Sequence, residues 1–445
     1  MAEVAMSRKM RINHSHRVRG ALQTPGDKSI SHRALIFTSI ARGTSRIEGL
    51  ATSNDCRATL ECIRRLGIEV EERDSSLIVH GKGLRGYRQP STSLDAGNSG
   101  STIRMLSGLV AAQPFTTVID GDESLRRRPM ARIIEPLEMM GARVEARDGR
   151  FAPIKIGGAQ LKAINYTSRV PSAQIKSCVL LAALCAEGRT TFREPAPSRN
   201  HTELMLAEFG ARFSETNGEM TVEGGTELKA INYRVPGDPS SAAFFVAAAT
   251  LLKDSEIVIR GVALNPSRTA FLDVMTNLGA KIERENLSVR HGEAVGDLRV
   301  TTAELRSERQ ATVIAGSMIP NLIDEIPILA VIGSQMEGRL EIRDAAELRV
   351  KESDRIRTIC DGIRAMGGEI EEFEDGFAIN GSQPLTGGTI TTAGDHRIAM
   401  AFSVAGLVAA GATEIEDADC AAVSFPDFYR VLGDAAGEGA IDEIA

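Results

Sequence analysis

The chain contains no tryptophan, and aromatic residues fill only 4% of its 445 positions. Its core must therefore be packed from aliphatic side chains, and stacking of nucleobases on aromatic platforms is excluded as its main business. A basic surplus is missing too: 52 Lys and Arg stand against 59 Asp and Glu, a net charge of −7. Polyanion-binding chains show the opposite balance, which argues against nucleic acid as a partner. A small anionic ligand would need a locally basic pocket. The six cysteines (Cys56, Cys62, Cys178, Cys185, Cys360 and Cys420) form no C-x-x-C pair. That disfavours zinc and leaves six reduced thiols, mostly small core hydrophobes, as expected of a cytoplasmic protein. No uninterrupted apolar run reaches about 18 residues, so no membrane span is expected. The opening MAEVAMSRKMRINHSHRVRG is polar and basic, with no apolar segment of a secretory signal, and its polarity predicts a frayed start.

Glycine, by contrast, is plentiful (42), and much of it recurs in one setting. An amphipathic helical pattern ends in a Leu, Met or Phe followed by Gly at Gly67, Gly141, Gly210, Gly279, Gly367 and Gly433. Glycine after the last helical turn fits a C-cap. After most of these comes an alternating stretch with a turn, such as IEVEERDSSLIVHG, the mark of a β-hairpin. A second piece also recurs. The polar tips GDKSISHR, GNSGSTIR, PSAQIKS, PGDPSSAA, NLIDEIP and GDHRIAM each lead into an apolar, small-residue helix with no polar face, followed by a short strand. Helices without a polar face are buried. Strand, buried helix, strand, surface helix and hairpin thus repeat six times, over roughly 70 residues each. A chain of this length exceeds one hydrophobic core, so six repeats divide into two lobes of three. The VPGD at Val235–Asp238 opens the fourth repeat. One continuous solenoid is the alternative, but its buried helices would need covering on every side.

Helix starts that point one way collect unpaired N–H groups and about half a positive charge each, a ready site for phosphates and carboxylates. The tips carry matching side chains. Lys28, Ser29 and Arg33 stand at the first, although Ser29 could equally be an N-cap. Asn98, Gly100, Ser101 and Arg104 stand at the second. Of the charge run Arg126–Arg128, Arg128 beside Pro129 is the one expected to face a site. The third tip offers Ser172, Gln174 and Lys176, the last two of which also fit a surface helix turn. Ser198, Arg199 and His201 form a further polar knot, with capping as the plain reading of Ser198. The C-terminal half places acids beside bases. Asp324 and Glu325 lie in the apolar NLIDEIPILAV, so each is either buried with a partner or working. Glu352 and Arg355 are three apart and would share a helix face, while Asp395 caps the sixth helix ahead of Arg397. Cations at several tips and two separated carboxylates suit a doubly anionic, two-substrate site with acid–base chemistry.

PGDKSISHRA, GNSGSTIR, RRRPM, PSAQIKS, VPGDPSSAAFF, LRVKESDRIR, GDHRIAMAF and SFPDF, in this order over nearly the whole chain, resemble the 5-enolpyruvylshikimate-3-phosphate synthase family. The resemblance implies an α/β, two-lobed enolpyruvyl-transferase fold with six βαβαββ repeats, three per lobe. It places residues 21–236 in the first lobe and residues 1–20 with 237–445 in the second, hinged near 20 and 237. It implies enolpyruvyl transfer from phosphoenolpyruvate to shikimate 3-phosphate by addition and elimination, with no metal or cofactor, by a cytoplasmic monomer. By the same resemblance Lys28 touches both substrates. Ser29, Arg33, Ser172, Ala173, Gln174, Asp324 and Lys351 bind shikimate 3-phosphate; Gly100, Arg128, Gln174, Arg355 and Arg397 meet phosphoenolpyruvate. Asp324 takes the proton of the attacking hydroxyl, and Glu352 handles the proton at the methylene carbon. Ala173 in place of a second serine, Glu347 in place of an asparagine and Val423 in place of a lysine resemble the family's second, more divergent class. Gly100 leaves room for glyphosate, which occupies the phosphoenolpyruvate pocket in the family. A sister family acting on UDP-N-acetylglucosamine carries Lys-Asn at the first tip and a cysteine in the loop before Arg-Pro; here stand Lys28-Ser29 and the cysteine-free QPFTTVIDGDESLRRRP. A non-catalytic anion binder is the reading from another class, opposed by the carboxylates of Asp324 and Glu352.

Overall fold

The computed structural model describes residues 8–307 and 310–444. Six apolar helices organise it: α1 (Lys28–Ile40), α2 (Gly100–Val110), α3 (Ala173–Cys185), α4 (Pro239–Leu251), α5 (Ile326–Gln335) and α6 (His396–Val408). Almost every residue in them is buried. A side chain accepts the first free amides of five of them: Asp27 in α1, Ser99 in α2, Ser172 in α3, Asp238 in α4 and Asp395 in α6. Each such cap contributes about 1 kcal/mol. α5 has no side-chain cap and begins instead with a proline in its first turn, where the missing N–H costs nothing. The cap of α1 is Asp27, so Ser29 is not one. Small residues let the helices approach closely: a Cβ on Gly108 of α2 would lie 2.3 Å from the carbonyl oxygen of Cys178 in α3.

The described residues form six four-stranded sheets, each with an edge strand parallel to its neighbour; five of them end in a hairpin of consecutive strands, and in the sixth Lys9–Ile12 and Ile441–Ile444 take that place. One runs Leu94–Asp95, Thr116–Asp120, Phe151–Gly157, Arg143–Arg147. Three sheets draw a strand from a distant part of the chain. Tyr233–Arg234 pairs parallel with Arg42–Glu48, and Arg19–Leu22 pairs parallel with Glu256–Ala263. Lys9–Ile12 lies antiparallel between Thr413–Ile415 and Ile441–Ile444. The start of the chain is therefore not frayed from Arg8 onward: Met10 and Ile12 are buried, and both edges of their strand are paired. Five of the six recurrent glycines have positive φ, from 79° to 102°, as a left-handed C-cap requires. Gly433 differs. It lies inside the helix Phe428–Ala436, and Gly437 (φ 97°) takes the cap.

Two compact units result, one of residues 25–236 with 289–294, the other of 1–24, 237–288 and 295–445. The division expected at residue 20 falls between Thr24 and Pro25, because Arg19–Leu22 is committed to the strand Glu256–Ala263.

Candidate active site

In the unit of residues 25–236, the first turn of α1 brings Lys28 within 3.0 Å of Asp55 Oδ2, both side chains partly exposed. Asp55 opens the helix Asn54–Arg65 behind the cap Ser53. In the sequence it reads as an ordinary first-turn acid, and nothing there signals its pairing with Lys28. Ser29 Oγ accepts from Arg199 Nη1 at 3.4 Å. Arg33 is enclosed, much as Arg355 and Arg397 are in the other unit. It is 3% exposed, and its donors reach Thr202 Oγ1 (2.7 Å), the Ser29 carbonyl (2.8 Å) and Ser177 Oγ (2.7 Å). Burial pulls its guanidinium pKa down to about 10. Arg33 thus reaches the tip through Ser29.

Beside this, Gly100 starts α2 between two cations: a Cβ there would lie 3.3 Å from Arg104 Nη1 and 3.5 Å from Arg128 Nη1. Arg128 donates to Asn98 Oδ1 (2.6 Å) and Ser124 Oγ (3.2 Å). Arg104 donates to Gln174 Oε1 and to the Pro129 carbonyl, while Gln174 Nε2 donates to Ser101 Oγ at 3.0 Å. The second and third tips are thereby tied together. Ser172 caps α3, followed by Ala173 and Gln174. Lys176 is no surface residue: it is 1% exposed and pairs with Glu194 (2.9 Å) and Glu203 (2.7 Å). Burial raises the pKa of Glu203 against the pull of Lys176. Ser198 does not cap the following helix, whose N-cap is Asn200; it donates to Glu194. His201 is buried against Glu293 at 2.6 Å.

The other unit gathers charge around Arg355. This side chain is 1% exposed and meets three carboxylates: Asp395 through Nε at 2.7 Å, Glu352 through Nη2 at 2.6 Å and Asp324 at 3.6 Å from Nη1. Burial alone would lower its pKa, but Asp395, then Glu352 and Asp324, raise it. Asp395 is fully buried. It caps α6 through the Arg397 amide (3.0 Å) and accepts from Ser353 Oγ (3.1 Å). Asp324 stands just before α5. Arg397 Nη1 donates to its carbonyl at 3.0 Å, and Arg397 Nε lies 3.5 Å from its carboxylate. Glu352 precedes the helix Arg355–Ala365 rather than lying on it, yet the expected pairing with Arg355 forms. Lys351 pairs with Glu347 at 2.9 Å. Glu325, the neighbour of Asp324, is buried and accepts from Ser240 Oγ.

The sequence candidates therefore fall into two groups. Asp324, Glu352, Arg355 and Arg397 converge in one unit. Lys28, Ser29, Gly100, Ser172, Ala173 and Gln174 stand at the helix starts of the other, and Arg128, which follows the helix Glu123–Arg127, reaches the second of them through Asn98. Cations at helix starts can hold phosphate and carboxylate, and partly exposed carboxylates beside a fixed guanidinium can exchange protons with a bound ligand. Sequence reading missed Asp55 and Glu194; single acids outside any motif give no periodic or compositional signal.

Comparison with known proteins agrees with this chemistry. Residues 12–432 match the family model described as EPSP synthase (3-phosphoshikimate 1-carboxyvinyltransferase). The chain is 52% identical over 422 residues to a 3-phosphoshikimate 1-carboxyvinyltransferase of Solibacter usitatus, covering 95% of this chain and 98% of the relative. It is 46% identical over 415 residues to that of Bacillus subtilis, covering 93% and 96%. The solved structure of an EPSP synthase from Acinetobacter baumannii superposes with a TM-score of 0.87 at 37% identity, covering 99% of this chain and 100% of that one.

Proposed function

The chain belongs to the EPSP synthase family, and from that premise we propose that it transfers the enolpyruvyl group of phosphoenolpyruvate to the 5-hydroxyl of shikimate 3-phosphate, releasing phosphate. The observation that carries the reading is the trio of carboxylates on buried Arg355, two of them still reachable from solvent (Asp324 17% and Glu352 16% exposed). Asp324 takes the proton of the 5-hydroxyl as its oxygen bonds to C2 of phosphoenolpyruvate. Glu352 delivers a proton to the C3 methylene, giving a tetrahedral intermediate. In the reverse sense Glu352 removes a proton from C3 while the C2–O bond to phosphate breaks and the departing phosphate takes the proton held by Asp324, which restores the double bond on the new ether. Because proton and charge move in opposite directions in the two halves, each carboxylate acts once as acid and once as base.

Binding is assigned to the helix starts. Arg355 and Arg397 clamp the charges of phosphoenolpyruvate, which also meets Lys28, Gly100, Arg128 and Gln174. Ser29, Arg33, Ser172, Ala173 and Gln174 are assigned to shikimate 3-phosphate, as are Lys351 and Asp324. Charge balance by arginines and helix ends stabilises the intermediate. The two guanidinium groups that flank Gly100, which itself has no side chain to fill the space between them, support glyphosate as an inhibitor. A cytoplasmic monomer completes the reading, supported by family resemblance.

Phosphate release tests it. Purified protein with phosphoenolpyruvate is expected to release phosphate on addition of shikimate 3-phosphate and not of UDP-N-acetylglucosamine. Release with the sugar nucleotide alone would move the chain to the sister reaction, and release with neither acceptor would overturn enolpyruvyl transfer.

A further inference from the structure

We infer that Glu194 is a positioning residue for the shikimate 3-phosphate tip, acting through Ser172 and Ser198 from a sealed ion cluster. Glu194 directly follows the strand Arg189–Arg193, and its side chain is 3% exposed. One oxygen accepts the backbone N–H of Ser172 at 3.2 Å. The other accepts the backbone N–H of Ser198 at 2.8 Å and Lys176 Nζ at 2.9 Å. Ser198 Oγ donates to both oxygens, at 2.9 and 2.7 Å. Lys176 closes the ring by donating to the Ser198 carbonyl at 3.2 Å. A single carboxylate thus fixes two separate backbone segments, residues 172–174 at the start of α3 and the loop at Ser198.

Two consequences follow from the donor inventory. The Ser198 hydroxyl has one proton, and Glu194 takes it, so Ser198 has none to give to a phosphate. The Ser172 hydroxyl, by contrast, accepts from the Ile175 amide at 3.4 Å and keeps its own proton to donate. Glu194 therefore decides which serine serves a bound anion. A neutral amide in its place would lose the charge-assisted bonds and, whichever way it turned, would point donor hydrogens either at Lys176 and the Ser198 N–H or at the Ser172 N–H. Glu203 separates this role from plain stability. It pairs with the same Lys176 at 2.7 Å but bonds neither Ser172 nor Ser198.

This inference rests on the reaction proposed above, and its test is a pair of variants, Glu194→Gln and Glu203→Gln, compared by three readouts. Both are expected to lower the melting temperature. Only Glu194→Gln is expected to weaken shikimate 3-phosphate binding, by about tenfold in calorimetry, with kcat at saturating substrate changed by less than about threefold. Glu194→Gln is also expected to speed hydrogen exchange of the amides at 172–175 relative to Glu203→Gln, a readout that needs no substrate. Equal binding by the two variants with unchanged exchange at 172–175 would overturn the inference. If the unaltered protein bound no shikimate 3-phosphate, the proposed reaction would fail, while the exchange comparison would still decide the positioning of the tip.

Discussion

Each unit of the molecule holds a cation buried among several carboxylates, Lys176 in one and Arg355 in the other, and the two centres are finished differently. Around Lys176, all three charged side chains are sealed, at 2, 3 and 5% exposure for Lys176, Glu194 and Glu203. Around Arg355 the cation is as deeply buried, but only Asp395 is sealed with it; Asp324 and Glu352 remain partly open. A buried charge is expensive unless paired and hydrogen-bonded; both centres pair their cation, although Glu203 Oε2 in one and Arg355 Nη1 in the other make no hydrogen bond among the described residues. They differ in whether a ligand can reach the partners. A closed centre fixes backbone, whereas an open one holds acids beside a cation that a substrate anion can share.

The largest effects should come from removing the two cations. Arg355→Met and Lys176→Met each strand buried carboxylates and should each cost about 3–5 kcal/mol of stability, measured by denaturant unfolding. Their turnover should diverge. The folded fraction of Lys176→Met should keep kcat within about tenfold at saturating substrate, while Arg355→Met should lose at least about a thousandfold, because transition-state charge then lacks its donor. Equal losses of kcat would erase the distinction between the centres.

A smaller contrast concerns alkaline pH. Burial pushes all six cysteine thiols up to about 12. A thiol whose pKa is raised on folding stabilises the fold fully below its unfolded value, near 9, and that contribution is lost as pH climbs towards 12. Cys56, Cys62, Cys178 and Cys185 lie in the unit of residues 25–236, against Cys360 and Cys420 in the other. Hydrogen-exchange protection should therefore fall faster in the first unit between pH 9 and 10. Arg33, held down to about 10, acts in the opposite sense only above that window. Equal decay in the two units would contradict the assignment.

Much of this was legible before any coordinates. Apolar helices with no polar face had to be buried, and polar residues at their starts had to cap or bind; Asp395 does the first, and the Arg355 cluster draws on motif residues already singled out. What stayed hidden depends on pairings across long sequence separations. Arg33 looks like a tip residue because it is one turn from Ser29, yet its partners Ser177 and Thr202 lie far along the chain. Lys176 looks like a first-turn surface residue because Glu194 and Glu203 carry no helical spacing to it. The polar first residues read as frayed because their strand partners come from the opposite end of the chain. Periodicity reports an element's own faces; it does not report which distant element supplies a partner.

The central claim, that the open carboxylates do the chemistry while the helix starts do the binding, is tested most directly by Asp324→Asn. This substitution keeps the size of the side chain and the backbone carbonyl that Arg397 holds. Shikimate 3-phosphate affinity by calorimetry should stay within about threefold, and the single-turnover rate of phosphate release should fall at least about a hundredfold. An unchanged single-turnover rate, or a loss of affinity large enough to account for the whole drop in activity, would contradict the account.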